Sequence, residues 1–115
     1  MRIQRFCPVA IVLLAVAVAV PLYAESFYPL RPEDPRAVYL TNDQFGVHAD
    51  GIGDDSEALQ QAINRVQETA RIGVLFIPEG RYRLSRTIFV WAGIRLIGYG
   101  PKRPVFLLLQ YWEPA

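Results

Sequence analysis

Three aspartates, Asp50, Asp54 and Asp55, lie within one short segment, His48-Ala-Asp-Gly-Ile-Gly-Asp-Asp55. Clustered carboxylates can act as general acid and base in the hydrolysis of glycosidic bonds. The local sequence favours a structural role instead, because Asp50 precedes Gly51 in a turn-forming pair and Asp54 stands where a helix is predicted to begin. The spacing also fails the calcium-loop pattern D-x-[DN]-x-[DN]-G. We therefore expect no catalytic and no metal-binding residue in this group.

His48 is the single histidine of the chain, so no metal site with two imidazoles can form. A lone histidine beside an Asp-Gly turn is typical of a solvated loop, and no nucleophile is identifiable that it could activate. Gly98-Tyr99-Gly100 lacks the third glycine and the following helix of a dinucleotide fingerprint, so it is predicted to be a turn that leaves a strand. The sequence therefore assigns no catalytic residue, no metal ligand and no cofactor.

Arginines and aromatic residues offer a second kind of chemistry, the binding of sugars. Arginine can hold a carboxylate with two parallel hydrogen bonds, so a basic stripe could meet the uronates of an acidic polysaccharide. The candidates are Arg81, Arg83, Arg86 and Arg95, although an ordinary solvated face is the favoured interpretation. Aromatic side chains can stack on sugar rings or pack in a core with equal ease. The aromatic candidates are Trp91, Tyr99, Tyr111 and Trp112.

A helix is predicted directly after the aspartates, from Asp55 to about Ala70. With Asp54 as the N-cap, Glu57 falls at the third helical position, which is the spacing of a capping box. Apolar residues then recur at helical intervals and predict one buried face. These residues are Ala58, Leu59, Ala62, Ile63, Val66 and Ala70.

Beyond Gly73 the pattern changes from helical to extended, with short apolar runs that Gly and Pro separate. The runs are 74–77, 82–84 (where Tyr82 and Leu84 alternate with arginines), 88–91, 94–97 and 105–109. The segments 73–80 and 93–100 also align without a gap, which matches Phe76 to Leu96 and Ile77 to Ile97. An offset of 20 residues indicates a solenoid, in which matching positions of successive turns stack.

The N-terminal segment 1–24 is predicted to be a signal peptide that is cleaved after Ala24, with an uncleaved anchor as the alternative. Arg2 and Arg5 precede the apolar run 9–20, which is too short for an ordinary membrane span. Cleavage would remove the only cysteine, Cys7, and lower the basic residues from 12 to 10 against 11 acidic ones. With a mature net charge of about −1, the chain has no excess of positive charge that would favour binding to nucleic acid. We expect a secreted or periplasmic protein.

The segment 45–63 resembles the opening of pectate-lyase-superfamily proteins, F/Y-G-A-x-G-D-G-x-x-D-D-T-x-A-φ-x-x-A-φ, although Val47-His48-Ala49 and Ser56 depart from it. Residues 74–82 and 94–100 are similar to two further submotifs of that superfamily, φ-φ-φ-P-x-G-x-Y and φ-x-φ-x-G-x-G. The resemblance implies a mainly β fold, a right-handed parallel β-helix whose open end the predicted helix caps. It also implies an irregular lead-in at 25–42 and the first coils of the β-helix at 43–115.

The resemblance implies a carbohydrate-active parent protein that acts on extracellular polysaccharide, with an acidic polysaccharide as one candidate. A polygalacturonase-like hydrolase of glycoside hydrolase family 28 is preferred over a lyase, with a non-catalytic binding or tailspike-like solenoid, or an inert fragment, as alternatives. About two coils fit between Gly73 and Ala115, below the three that solenoids usually need, so we expect the catalytic coils to be missing. The substrate and the oligomeric state do not follow from the sequence.

Overall fold

The computed structural model describes residues 25–109, so the predicted signal peptide, Tyr111 and Trp112 lie outside the described residues. Six strands and two helices follow one another within that range. In chain order they are β1 (Val38–Tyr39), α1 (Asn42–Phe45), β2 (Asp50–Asp54), α2 (Ser56–Ala70), β3 (Gly73–Pro78), β4 (Arg81–Leu84), β5 (Ile94–Tyr99) and β6 (Val105–Leu108).

The strands form two three-stranded parallel sheets, with the orders β1-β3-β5 and β2-β4-β6. From β1 to β6 the chain alternates between the sheets, and each strand lies beside the strand two before it. Two parallel strands that are neighbours in a sheet need a crossover connection between them. Here each crossover contains one strand of the other sheet, so that β2 lies between β1 and β3 in the chain. The prediction of a mainly β fold with parallel strands is therefore confirmed.

The register between β3 and β5 differs from the predicted one by one residue. Leu75 pairs with Leu96 and Phe76 with Ile97, an offset of 21 residues (75 to 96) rather than 20. Leu75 is buried in the core, whereas the ring of Phe76 stacks on Tyr39 with centroids 5.3 Å apart. Side chains alternate between the two faces of a strand, so a slip of one residue would place Phe76 beside Leu96. Residues that face the core would then stack on residues that face the aromatic rings. In the other sheet, β6 pairs with β4 at an offset of 24 residues, with Arg81 beside Val105.

Helix α2 begins at Ser56, one residue later than predicted, and its apolar face contacts β1, β3 and β5. Five of the six predicted residues are buried, while Ala70 is exposed at the C-terminal end. The predicted capping box does not form. Asp55 is the N-cap, and the Glu57 carboxylate instead accepts a hydrogen bond from Gln61 (3.2 Å).

The segment 88–91, predicted to be extended, forms no strand. Its backbone forms hydrogen bonds with a side chain of α2 instead of a strand. The Gln60 side-chain amide accepts the N–H of Phe89 and donates to the Phe89 carbonyl. Conversely, β1 lies within the segment 25–42 that the sequence predicts to be an irregular lead-in. The Tyr39 ring of β1 packs against the rings of Phe76 and Tyr99, which also contact each other.

The core lies between α2 and the inner faces of the two sheets, where Leu40, Ile63, Leu75 and Tyr82 are fully buried. Strand β6 is much less covered, since its Leu108 is 70% exposed. Among residues 25–109, no helix has the length and apolar character required to cross a membrane.

Candidate functional site

The outer face of the sheet β2-β4-β6 carries two of the predicted arginines. Tyr82 and Leu84 are buried, whereas Arg81 is exposed and Arg83 half-buried, so the predicted alternation along β4 is confirmed. Arg81 pairs in register with Asp50 and Arg83 with Asp54. We call these four residues the charged face.

The predicted group of four arginines does not form one stripe. Arg95 lies on β5 in the other sheet, where it pairs in register with Val74. Arg86 lies beyond β4 and forms an ion pair with Glu57, with a nitrogen–oxygen distance of 3.8 Å. Both side chains of that pair are largely exposed, so it contributes about 0–1 kcal/mol. Only Arg81 and Arg83 therefore share a strand and a face.

Asp50 is held by the backbone that follows it. Its Oδ1 accepts the N–H groups of Ile52 (2.9 Å) and Gly53 (3.0 Å). These two hydrogen bonds lower the pKa of the carboxyl, because they stabilise the ionised form. An ionised carboxylate has no proton to donate at neutral pH, so Asp50 is unsuited to act as a general acid.

Asp54 connects the start of α2 to the end of β4. Its Oδ1 accepts the hydroxyl (2.6 Å) and the N–H (3.0 Å) of Ser56, and its Oδ2 accepts the hydroxyl of Ser85. The N–H of Ser85 donates in turn to the Ser56 hydroxyl (2.8 Å). The Ser56 hydroxyl, with that of Ser85, lowers the pKa of Asp54 to about 2. A carboxylate with this low pKa is a weak base at neutral pH, so Asp54 cannot activate either serine.

Asp55 is fully buried and both of its carboxylate oxygens are occupied. They accept the N–H groups of His48 (2.7 Å) and Ala49 (2.8 Å). Ala49 has a φ of 55°, in the left-handed region that costs energy for a residue with a Cβ. The Asp55 carboxylate therefore holds the strained turn before β2. All three aspartates have structural partners, and the absence of catalysis by them stays a prediction.

The remaining candidates are dispersed. His48 is exposed and its ring lies against Gly53, where an added Cβ would come within 2.5 Å of the ring. Tyr99 is part of β5, and Gly100 follows it with a φ of 113°, so the predicted turn begins only there. Trp91 is half-exposed and donates its indole N–H to Asn64 (2.9 Å). Within the described range, no group of three acidic, histidine or cysteine side chains could hold a metal ion.

Gln60 and Asn64 on α2 bind Phe89 and Trp91, and neither was predicted to be functional. Their only sequence signal is a pair of amides four residues apart, which places both on one side of a helix. That spacing predicts a shared face but not a partner 29 residues away, such as Phe89.

Comparison with known proteins gives a family for this arrangement. The family model described as "Rhamnogalacturonase A/epimerase, pectate lyase-like" matches residues 41–109, more than half of the chain. An iota-carrageenase from Alteromonas macleodii is 35% identical over 66 residues, which are 57% of this chain and 13% of the carrageenase.

Two proteins of Azotobacter vinelandii are also similar over 76 residues, which are 60% of this chain. Alginate lyase 7 is 28% identical and mannuronan C5-epimerase AlgE2 is 29% identical. The chain spans 9% of the lyase and 8% of the epimerase, so it corresponds to a small part of each relative. No solved structure matches the chain significantly.

Proposed function

The chain belongs to the rhamnogalacturonase A/epimerase, pectate lyase-like family, and we propose that it is the N-terminal portion of an exported protein that acts on polysaccharide. The observation that carries this proposal is the family match, which extends from residue 41 to residue 109 and includes β2 to β6 and both helices. By their names, the similar proteins include a carrageenase, an alginate lyase and a mannuronan epimerase. Membership of a carbohydrate-active family follows directly from these similarities.

For the fold, we propose a right-handed parallel β-helix whose first coil is covered by α2. The two parallel sheets support the β-helix, because each strand stacks on the strand from the previous turn of the chain. The burial of Leu59, Ile63 and Val66 against the first strands supports the covering role. A solenoid needs such a cover, since its first coil would otherwise expose an apolar end.

For the reaction, we propose cleavage of a polysaccharide by residues on coils that follow β6, with polygalacturonase-like hydrolysis preferred and elimination as the alternative. The state of the aspartates supports a catalytic centre elsewhere, because Asp50, Asp54 and Asp55 are all bonded to nearby backbone or hydroxyl groups. The small share of each relative that this chain covers supports the same view.

For the substrate, we propose an extracellular polysaccharide that carries carboxylates. Arg81 and Arg83 support this, since both extend from the outer face of β4 and neither forms an ion pair among residues 25–109. The guanidinium of Arg83 is oriented by a hydrogen bond from its Nη1 to the carbonyl of Ile52 (2.9 Å). An oriented guanidinium loses less freedom when it binds a carboxylate.

The test uses the protein encoded by the whole reading frame that contains these 115 codons. It is incubated with polygalacturonate, alginate and carrageenan, and both reducing ends and ultraviolet absorbance of unsaturated products are followed. New reducing ends without absorbance indicate hydrolysis, whereas both together indicate elimination. In the same protein, Arg83→Ala should weaken polyuronate binding roughly tenfold, with Arg95→Ala on the other sheet as the control. Equal affinities of the two variants would contradict the role of the charged face.

A non-catalytic binding solenoid is the second candidate function. The occupied aspartates favour it as much as they favour catalysis on later coils, because Asp50, Asp54 and Asp55 offer no unbound pair of carboxylates. Binding of a polysaccharide without any product, by the protein from the whole reading frame, would establish this alternative.

A further inference from the structure

Two exposed aromatic side chains lie beside α2, on the segment that follows β4. Phe89 is 67% exposed and Trp91 50% exposed, which is unusual for rings of this size. They line an open depression of about 450 Å³ together with Gln60, Asn64 and Val90. We call these five residues the aromatic shelf. None of the five is charged.

The backbone of the aromatic shelf is fixed by one side chain of α2. The Oε1 of Gln60 accepts the N–H of Phe89 (2.8 Å), and the Nε2 of Gln60 donates to the Phe89 carbonyl (3.0 Å). The amide therefore satisfies both polar groups of one residue, as a neighbouring strand would. This contact holds Phe89 without covering its ring.

The indole of Trp91 is fixed in the same way. Its N–H donates to Oδ1 of Asn64 (2.9 Å), which also accepts from Nε2 of Gln60 (3.1 Å). Because two donors point at Oδ1, the orientation of the Asn64 amide is determined. The two N–H groups on Nδ2 of Asn64 then have no partner among residues 25–109 and are not buried. An exposed indole and free amide donors thus occur side by side.

We propose that the aromatic shelf binds a pyranose ring of the polysaccharide, at a site separate from the charged face. This inference rests on the proposed function for the kind of ligand. The C–H face of a sugar ring packs on an exposed aromatic ring, and its hydroxyl oxygens accept hydrogen bonds from amide N–H groups. Because the shelf is uncharged, it recognises the ring and its hydroxyls rather than a carboxylate. Its binding is therefore insensitive to salt.

The test is a calorimetric titration of the whole chain with two probes, a laminarin hexasaccharide without charge and an alginate hexasaccharide. Laminarin should bind with an affinity that a tenfold rise in NaCl leaves unchanged, whereas alginate binding, to which the charged face also contributes, should weaken in part. Trp91→Ala should weaken binding about tenfold, since it removes the stacking surface. Asn64→Asp keeps both bonds to Oδ1 but removes the free donors, and should weaken binding about fivefold. Phe27→Ala, at an aromatic residue that is 86% exposed and lies outside the shelf, is the matched control.

Circular dichroism checks that each variant is folded, and Asn64→Asp decides the matter if Trp91→Ala does not fold. In a Trp112→Phe background Trp91 is the only tryptophan, so saccharide binding should change its fluorescence directly. Failure of the wild-type chain to bind laminarin, or equal laminarin affinities for wild type and Asn64→Asp, overturns the proposal. Laminarin binding that high salt abolishes also overturns it, because the uncharged shelf makes no salt-dependent contact. Product formation by the whole protein in any of these cases leaves the proposed function intact.

Discussion

Each aspartate of β2, and Asp55 that follows it, binds donors that lie close to it in the chain or directly after β4. Asp50 and Asp55 bind backbone N–H groups within seven residues, whereas Asp54 also reaches Ser85 on the next pass of the chain. Short loops that contain glycine and aspartate commonly satisfy their backbone in this way. Asp54 differs because its hydrogen bonds join Ser56 to Ser85 on the next pass of the chain, so its ionisation affects the stability of both segments.

The low pKa of Asp54 predicts how stability changes with pH. The unfolded carboxyl has a pKa near 3.9, whereas the folded value is about 2. A lowered folded pKa adds stability that is present above the unfolded value and disappears as pH falls towards the folded one. We therefore expect the difference in melting temperature between wild type and Asp54→Asn to shrink as pH falls from about 4 to about 2.

Thermal unfolding followed by circular dichroism at several pH values measures this difference. Ser85→Ala is the comparison variant, since it removes one donor to Asp54 and keeps the carboxylate. It should move the acid-induced loss of stability to higher pH. Parallel curves for wild type and Asp54→Asn down to pH 2 would show that Asp54 contributes nothing through its charge.

At the scale of elements, the sequence predicts α2 and the strands β3 to β6 well. It misses β1, which lies in the predicted lead-in, and β2, which lies where an Asp-Gly turn was predicted, and it shifts the strand pairing. The helical spacing of Leu59, Ile63 and Val66 is a local pattern and predicts the buried face correctly. The register of β5 on β3 depends on contacts between residues 21 apart. Gly73 pairs with Ile94 and not with Gly93, its match in the gap-free alignment, because Gly93 lies before β5 with a φ of 84°.

The aromatic shelf shows a second limit of local patterns. The residues 88–91 have the composition of a strand, yet their polar groups bind Gln60 and Asn64 from a helix that lies 27 to 29 residues earlier. Composition measures the preference for an extended backbone but not the partner that satisfies it. The candidate site on α2 could therefore be found only from the structure.

The buried face of α2 predicts a strong effect of a single substitution. Leu59 is 1% exposed, so Leu59→Asp loses its burial and places a carboxylate in the core. We expect a loss of about 4 kcal/mol or more in the free energy of unfolding, enough to unfold most of a marginally stable chain. Urea unfolding followed by circular dichroism measures it.

Gln61→Asp is the matched control, because it adds the same charge on the exposed side of α2. Its expected effect is within about 0.5 kcal/mol. If Leu59→Asp and Gln61→Asp were equally stable, α2 would not cover the first coil.

At the scale of the whole molecule, the predicted export can be tested at a defined position. Glu25 is the first described residue, and its carbonyl accepts a hydrogen bond from Arg103 (2.9 Å), so the chain is anchored directly after the predicted cleavage site. We expect N-terminal sequencing of protein from the medium or periplasm to begin at Glu25. A protein that stays with the membrane fraction and retains Met1 would support the uncleaved anchor instead.

The order of pairing in the two sheets has a consequence for how the chain folds during synthesis. Every strand from β3 onward pairs with a strand that was made earlier, and α2 is made before β3. Each new turn emerging from the ribosome can therefore dock on a template that already exists, without waiting for distant parts of the chain. Within residues 25–109, β5 docks on β3 and β6 docks on β4, so both sheets grow in the direction of synthesis.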